Sequence, residues 1–213
     1  MAARLGQVLY WICILATLSL PAHAADIRAY HNCGHGYPNC IVINGEIKEW
    51  DWPKFHYISP IFDQYGKHRY VDHGAVYLNS PGGLVKAGNL IAFIIQEEGY
   101  VTVVPENATC ASICANIWLM GRKRYLAPSG HVGFHSASVN GVRSERGNEF
   151  IKDRFYNGLE VWKYISGYKA LSKEAQDALL AASPNGMLWL TPQIAKTLGI
   201  DYEDWPPRKK PTP

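Results

Sequence analysis

The feature that most restricts the fold is a repeated change of hydrophobic period along the chain. Tyr70 to Leu78 reads as an apolar strand. Leu84 to Glu98 places Leu90, Ile91, Phe93, Ile94 and Ile95 on a helical period, and Val101-Thr102-Val103-Val104 is a strand again. Strand, helix and strand joined by short links build right-handed parallel units, whose strands end at one edge where ligands collect. Cys40 to Ile47 reads as an earlier strand, followed by a helix from about Trp52 to Tyr65 with Pro53 near its start. The expected class is α/β, with a mainly parallel sheet and flanking helices. A chain of 213 residues, 47% of them hydrophobic, can build one such domain without a membrane bundle.

Three segments carry candidate chemistry. The first is Cys110-Ala111-Ser112-Ile113-Cys114, a serine where an apolar strand gives way after a short link to a helical pattern starting near Ile113. The first N–H groups of a helix have no intrahelical partner and the helix dipole is positive there, so negative charge forming beside Ser112 would be stabilised. Serine is also a good helix N-cap, and that is the plain alternative for Ser112. The second segment is Asn79-Ser80-Pro81-Gly82-Gly83, where paired glycines let the backbone approach a ligand. The third is His131-Val132-Gly133-Phe134-His135, whose alternation suits a strand with both histidines on one face; a buried, hydrogen-bonded histidine is the alternative there.

Together these segments resemble the proteolytic subunit of the Clp protease family, within the Clp/crotonase fold. The resemblance rests on Ser80-Pro81-Gly82-Gly83 followed by Leu84-Val85-Lys86-Ala87-Gly88, on Ser112 lying 29 positions after Gly83 amid small residues, and on Ala127-Pro128 through His135. It covers about Ile41 to Ile200 and is strongest from Tyr77 to Ser136. It implies repeated β-β-α/βα units, Ser112 as nucleophile, His135 as base, the N–H groups of Gly83 and Ile113 as the oxyanion hole, and Gly82 and Ser136 in contact with substrate. It also implies oligomerisation, most simply as a homo-oligomer, and peptides or unfolded chains as substrates. The departure is the third triad member. Where the family usually carries an aspartate, alignment on Trp189-Leu190-Thr191 places Ser183-Pro184-Asn185. Asn185 is the candidate to fix the histidine tautomer, with Asp177 approaching by another route as the alternative. Competing readings are a non-catalytic or acyl-CoA-handling member of the same fold, a Ser–Lys peptidase using Lys123, and an adaptor that binds exported polypeptides.

The N-terminus reads as a secretory signal: Arg4, an apolar run from Val8 to Leu20, then Pro21-Ala22-His23-Ala24 with small residues at the positions a signal peptidase requires. Cleavage is expected after Ala24, which makes the protein secreted or periplasmic. The apolar run is 13 residues, short of the roughly 20 that cross a bilayer, so an uncleaved anchor is the alternative. Residues 25–40 form a Cys/His-rich segment, 41–203 the catalytic domain and 204–213 a proline-rich basic tail expected to be extended. The net charge of +3 is too balanced to favour nucleic acid. Export and the absence of a phosphate-binding loop remove any ATPase partner, and no cofactor is expected.

Cys13 leaves with the leader, and the remaining Cys33, Cys40, Cys110 and Cys114 are an even set suited to disulfides in an exported protein. The expected pairs are Cys33 with Cys40 and Cys110 with Cys114, the second bracing the serine turn. A zinc site of His31, Cys33, His35 and Cys40 is the alternative, although the spacing matches no zinc motif and no metal is expected. Asn107-Ala108-Thr109 is a glycosylation sequon, relevant only in a pathway that glycosylates. Downstream, Lys123 to Ala127 reads as a strand, Ser136 to Gly147 as a polar mobile loop and Asn148 to Tyr168 as an amphipathic helix. A last helix is capped by Thr191, with Pro192 at its first position and Gly199 after its end.

Overall fold

The computed structural model describes residues 24–31, 33–37, 39–59, 74–153 and 171–207. Its main sheet has six strands in the order β1 (Asp26–His31), β2 (Asn39–Asn44), β3 (Ala75–Asn79), β4 (Val101–Val104), β6 (Arg124–Leu126) and β11 (Glu203–Asp204). β1 runs antiparallel to β2, and every other neighbouring pair is parallel. A second sheet has the order β10 (Leu188–Trp189), β7 (His131–Phe134), β5 (Thr109–Ala111), and a short hairpin is made of β8 (Ser138–Val139) and β9 (Val142–Arg143). Six helices complete the described residues: α1 (Asp51–Ile58), α2 (Val85–Glu97), α3 (Ile113–Leu119), α4 (Glu145–Ile151), α5 (Lys173–Leu179) and α6 (Pro192–Leu198).

The parallel register follows from burial. All four residues of β4 are buried, as a central strand covered on both faces requires. On one face, Val76 and Leu78 of β3 meet Ile91 and Ile95 of α2 and the wholly buried helix α3, with Ile113, Cys114, Ile117 and Trp118 in a single core. A helix apolar on every side must be internal, and α3 is. Thr102 donates its hydroxyl to Trp118 O at 2.7 Å, and Trp118 Nε1 donates to Tyr125 O at 3.1 Å, so α3 is pinned to β4 and β6. On the opposite face a smaller core gathers Val101, Val103, Tyr125 and Trp205, against which Tyr37 and Tyr77 pack under the Cys33–Cys40 loop. Burial pushes the Tyr77 phenol up to about 12 and raises Tyr37 further.

Several elements differ from the sequence reading. Residues 26–31 of the Cys/His-rich segment, for which the sequence reading gives no element, form β1, and Cys33–Cys40 closes the β1–β2 connection with a Cα–Cα distance of 6.0 Å. With both cysteines joined, the four-ligand zinc alternative is removed: His31 Nδ1 meets Asn39 Oδ1 at 2.8 Å and His35 stacks edge-on against Trp205. Thr109–Ala111 was read only as a link and is a strand of the second sheet; three residues are too few to show a period. Ser136 to Gly147 is not simply a polar mobile loop. Ser136 and Ala137 are buried, Asn140 and Gly141 turn the β8–β9 hairpin at positive φ, and the exposed residues Val139 and Val142 face one another across it. α4 starts at Glu145, before the expected Asn148, because Ser144 caps it by accepting the Gly147 N–H at 3.1 Å. α5, capped by Ser172, was not foreseen. α6 matches: Thr191 accepts from Ile194 N at 3.1 Å and Gly199 ends the helix at φ 67°. The expected leader, the ends of the helices read to Tyr65 and Tyr168, the start of the strand read from Tyr70, and the last six residues of the tail lie outside the described residues. No helix among the described residues is long and apolar enough to cross a membrane.

The seating of α2 on α3 is testable at Gly88, where a β-carbon would run into the side chain of the buried Ile113. Gly88→Ala is expected to cost about 1–3 kcal/mol through overpacking, read as a lower midpoint of urea unfolding with unchanged slope.

Candidate active site

The site is built where the two sheets meet. Past the end of β3, Ser80 N donates to Thr109 O at 2.7 Å and Ala111 N donates to Ser80 O at 2.9 Å, so the glycine loop is laid alongside β5. β5 in turn pairs in parallel with β7, Ala111 opposite Gly133. Ser112 N donates to Gly133 O at 2.9 Å, so the ladder continues one bond past the strand before α3 begins. Ser112 and His135 therefore leave the same end of two adjacent parallel strands, one and two residues beyond the last register pair.

At Ser112 the chain turns sharply. Its φ of 59° and ψ of −128° lie outside the comfortable region for a residue with a side chain, a conformation that costs on the order of 1–3 kcal/mol and persists only when its surroundings enforce it. An N-cap serine has extended backbone angles and accepts an N–H from the first turn; Ser112 does neither. The capping alternative is therefore excluded, and the half-buried hydroxyl makes no hydrogen bond among the described residues, His135 included. Three constraints hold the turn. Ser112 O accepts from Ala115 N at 3.0 Å and from Asn116 Nδ2 at 3.2 Å, the Ser112 N–H is in the ladder, and Cys110 and Cys114 are disulfide-bonded across it with a Cα–Cα distance of 5.1 Å.

The glycine loop presses on this turn. A β-carbon on Gly82, whose φ is 100°, would come within 2.6 Å of Ser112 Cβ and 3.1 Å of its Oγ, so only glycine lets the loop approach the hydroxyl. The buried Ser80 hydroxyl accepts the Gly82 N–H at 3.0 Å and fixes the bend. Ile47 brackets Gly83, donating to Gly82 O at 2.7 Å and accepting from Leu84 N at 2.8 Å. In such a parallel bridge the N–H of Gly83 points away from Ile47, and it has no partner among the described residues. The Ile113 N–H, first in α3, also has none. Two unpaired backbone donors thus flank the serine.

His135 is half-buried, and its Nδ1 lies 2.7 Å from Ser136 O. A carbonyl oxygen only accepts, so Nδ1 carries a proton, and in the neutral ring the lone pair is left at Nε2. That is the tautomer a general base needs, set by a backbone carbonyl that sequence reasoning could not see. Asn185 is exposed on the Ser183–Gly186 turn, which is tied to the neighbour of His135 through Ser136 N donating to Ala182 O at 3.0 Å. In this state the histidine Nδ1 is engaged by Ser136 O and not by Asn185. Asp177 is exposed on α5, paired with Lys152 at 2.9 Å and Lys173 at 3.1 Å, and the Lys152 ammonium first, then Lys173, hold its carboxyl below the usual aspartate range. His131 sits at the opposite end of β7 with its ring edge-on to Trp189. Lys123 is ion-paired with Glu203 at 3.0 Å. Among the described residues no group of three or more His, Cys, Asp or Glu side chains is arranged to hold a metal. A residue missed from the sequence is Asn148, buried on α4, whose Oδ1 accepts the Ala137 N–H at 2.7 Å and holds the chain just after His135. Its position within a longer apolar pattern carried no sign of that role.

A scan against protein-family models finds no match to this chain, and no curated protein matches it.

The bridge between Cys110 and Cys114 closes a loop of very few residues, so its entropic share of stability is about 2 kcal/mol. Both sulfurs are fully buried, so replacing both by serine is expected to lower the unfolding free energy by at least that amount in chemical denaturation. Gly83→Ala, whose β-carbon would collide with the backbone of Ile47 at φ 139°, should destabilise the protein by more.

Proposed function

We propose that this chain is an exported serine peptidase that acts without ATP, built on a Clp/crotonase-like arrangement of its strands and helices. The observation that carries the reading is the strained Ser112 turn with an uncapped, accessible hydroxyl, pressed by a glycine loop and flanked by two unpaired N–H donors. Neither a capping serine nor an ordinary Pro-Gly turn has a use for that combination. His135 Nε2 takes the Ser112 proton as the oxygen attacks a peptide carbonyl. The N–H groups of Gly83 and Ile113 receive the developing oxyanion, each donor contributing about 3 kcal/mol at the transition state. The imidazolium then gives its proton to the leaving amine, and the same nitrogen activates the water that releases the acyl group.

The Ser136 carbonyl orients the imidazole but carries less negative charge than a carboxylate, so the imidazolium is stabilised less and turnover is expected to be slow. The gap between the Ser112 hydroxyl and the ring closes when substrate orders the site, as catalytic hydrogen bonds tighten in the complex. Gly82, which packs against Ser112, and Ser136, next to His135 in the chain, are the proposed substrate contacts. Substrates are peptides or unfolded chains, because no unfoldase accompanies an exported enzyme, and a homo-oligomer is the expected assembly. That Ser112 and His135 are not hydrogen-bonded to each other favours one alternative: an inactive protein of the same fold that binds peptides.

A fluorophosphonate probe is expected to label Ser112 in the purified protein, and an unstructured peptide should be cut without nucleotide. Ser112→Ala and His135→Ala should each lower kcat by at least about 1000-fold, whereas Asn185→Ala should change it by less than about tenfold if the carbonyl sets the tautomer. Full turnover by Ser112→Ala would rule out the peptidase, and binding without labelling or cleavage would favour the inactive alternative.

A further inference from the structure

Asp51 opens α1 with its side chain buried, 2% exposed, and forms no ion pair among the described residues. Its Oδ2 accepts two backbone N–H groups, from Lys48 at 2.7 Å and from Ala25 at 3.1 Å. A buried carboxylate is costly without a cation, and the first turn of a helix offsets only part of that. Ala25 is itself buried, and it is the residue that follows the small residues Ala22 and Ala24 at the expected leader cleavage site.

We propose that Asp51 is the receptor for the α-ammonium group created when the leader is cut between Ala24 and Ala25, so that processing turns a neutral peptide contact into a buried ion pair. Hydrolysis by the signal endopeptidase adds water across the Ala24–Ala25 bond. The water oxygen goes to the Ala24 carbonyl carbon, which leaves as a carboxylate, and the Ala25 nitrogen departs with both hydrogens it needs to become an ammonium. That nitrogen is already at 3.1 Å from Oδ2. Among the described residues Asp51 is the one buried acid, and it lacks a counter-charge there; the new cation supplies one, and the pair ties the start of β1 to α1. Two other acids near the N-terminal edge already have cations: Asp26 is paired with Arg28 at 2.8 Å, and Glu46, which Ala24 bridges, with Lys48 at 3.8 Å. The carboxylate also holds Lys48, the residue after Ile47, so the pair lies one step from the bracket around Gly83.

The test is independent of the peptidase reading, because its readouts are the N-terminus and the melting temperature. The full chain is exported with its own leader, beside a form with one glycine inserted between Ala24 and Ala25. Ala24 is exposed, so an added residue there meets solvent without a clash. N-terminal sequencing should find Ala25 first in the native protein. The insertion, which moves the ammonium off Asp51, should lower Tm by about 5–10 °C, and should have no effect in an Asp51→Asn background. A different N-terminus, equal melting of the two forms, or the same loss in both backgrounds would overturn the proposal. Where Asp51→Asn does not accumulate, the pH dependence of acylation of the Ala25 amine decides. Pairing places its midpoint above the ordinary value of about 8, and burial without a partner places it below.

Discussion

The site depends on one pair of backbone hydrogen bonds, Ser80 N to Thr109 O and Ala111 N to Ser80 O. They join the end of the main sheet to the small one. Without them the glycine loop would have no reason to lie against the turn at Ser112, and β5 would be an unpaired edge. The small sheet then adds the second half, since the pairing of Ala111 with Gly133 carries the histidine segment to the same end. Two unrelated sequence segments are thus brought to the serine chiefly by main-chain bonds, with the Asn79 side chain adding one from Thr109 N at 3.0 Å. The disulfide from Cys110 to Cys114 and the Asn116 amide act on what is left, the backbone of the turn itself.

That division explains what was legible in the sequence. β4, α2, α3 and α6 are plain, because long apolar periods and a Thr-Pro start with a Gly end are local signals. Ser112, Gly82, Gly83 and His135 stand out by residue type and by their Clp-like spacing, and the structure brings the segments that carry them together. The strand at Thr109–Ala111, the hairpin at Ser138–Arg143 and β1 were not legible, since each exists only through its pairing partner. The same holds for the group facing the histidine: a carbonyl has no side chain, so a search for a third member could only return side chains such as Asn185 and Asp177. The structure engages the first at a turn and the second with two lysines.

The chemistry expected of an exported protein also shapes the molecule. Two short disulfides stiffen the β1–β2 connection and the serine turn, where hydrogen bonds alone leave a strained residue. The buried carboxylate of Asp51 lies under the first strand, close to the segment that brackets Gly83, so the N-terminal edge and the glycine loop share a support. A site assembled from backbone donors, backbone acceptors and covalent braces asks little of side-chain charge, in keeping with an imidazole oriented by a carbonyl.

The most direct measurement is a crystal structure of the protein treated with a peptidyl boronate, whose boron mimics the tetrahedral carbon. A bond from Ser112 Oγ to boron is expected, with one boronate oxygen about 2.7–3.1 Å from both Gly83 N and Ile113 N and His135 Nε2 hydrogen-bonded to the adduct. A boronate attached elsewhere, or one attached to Ser112 with that oxygen turned away from both N–H groups, would contradict the assignment of this turn as a catalytic centre.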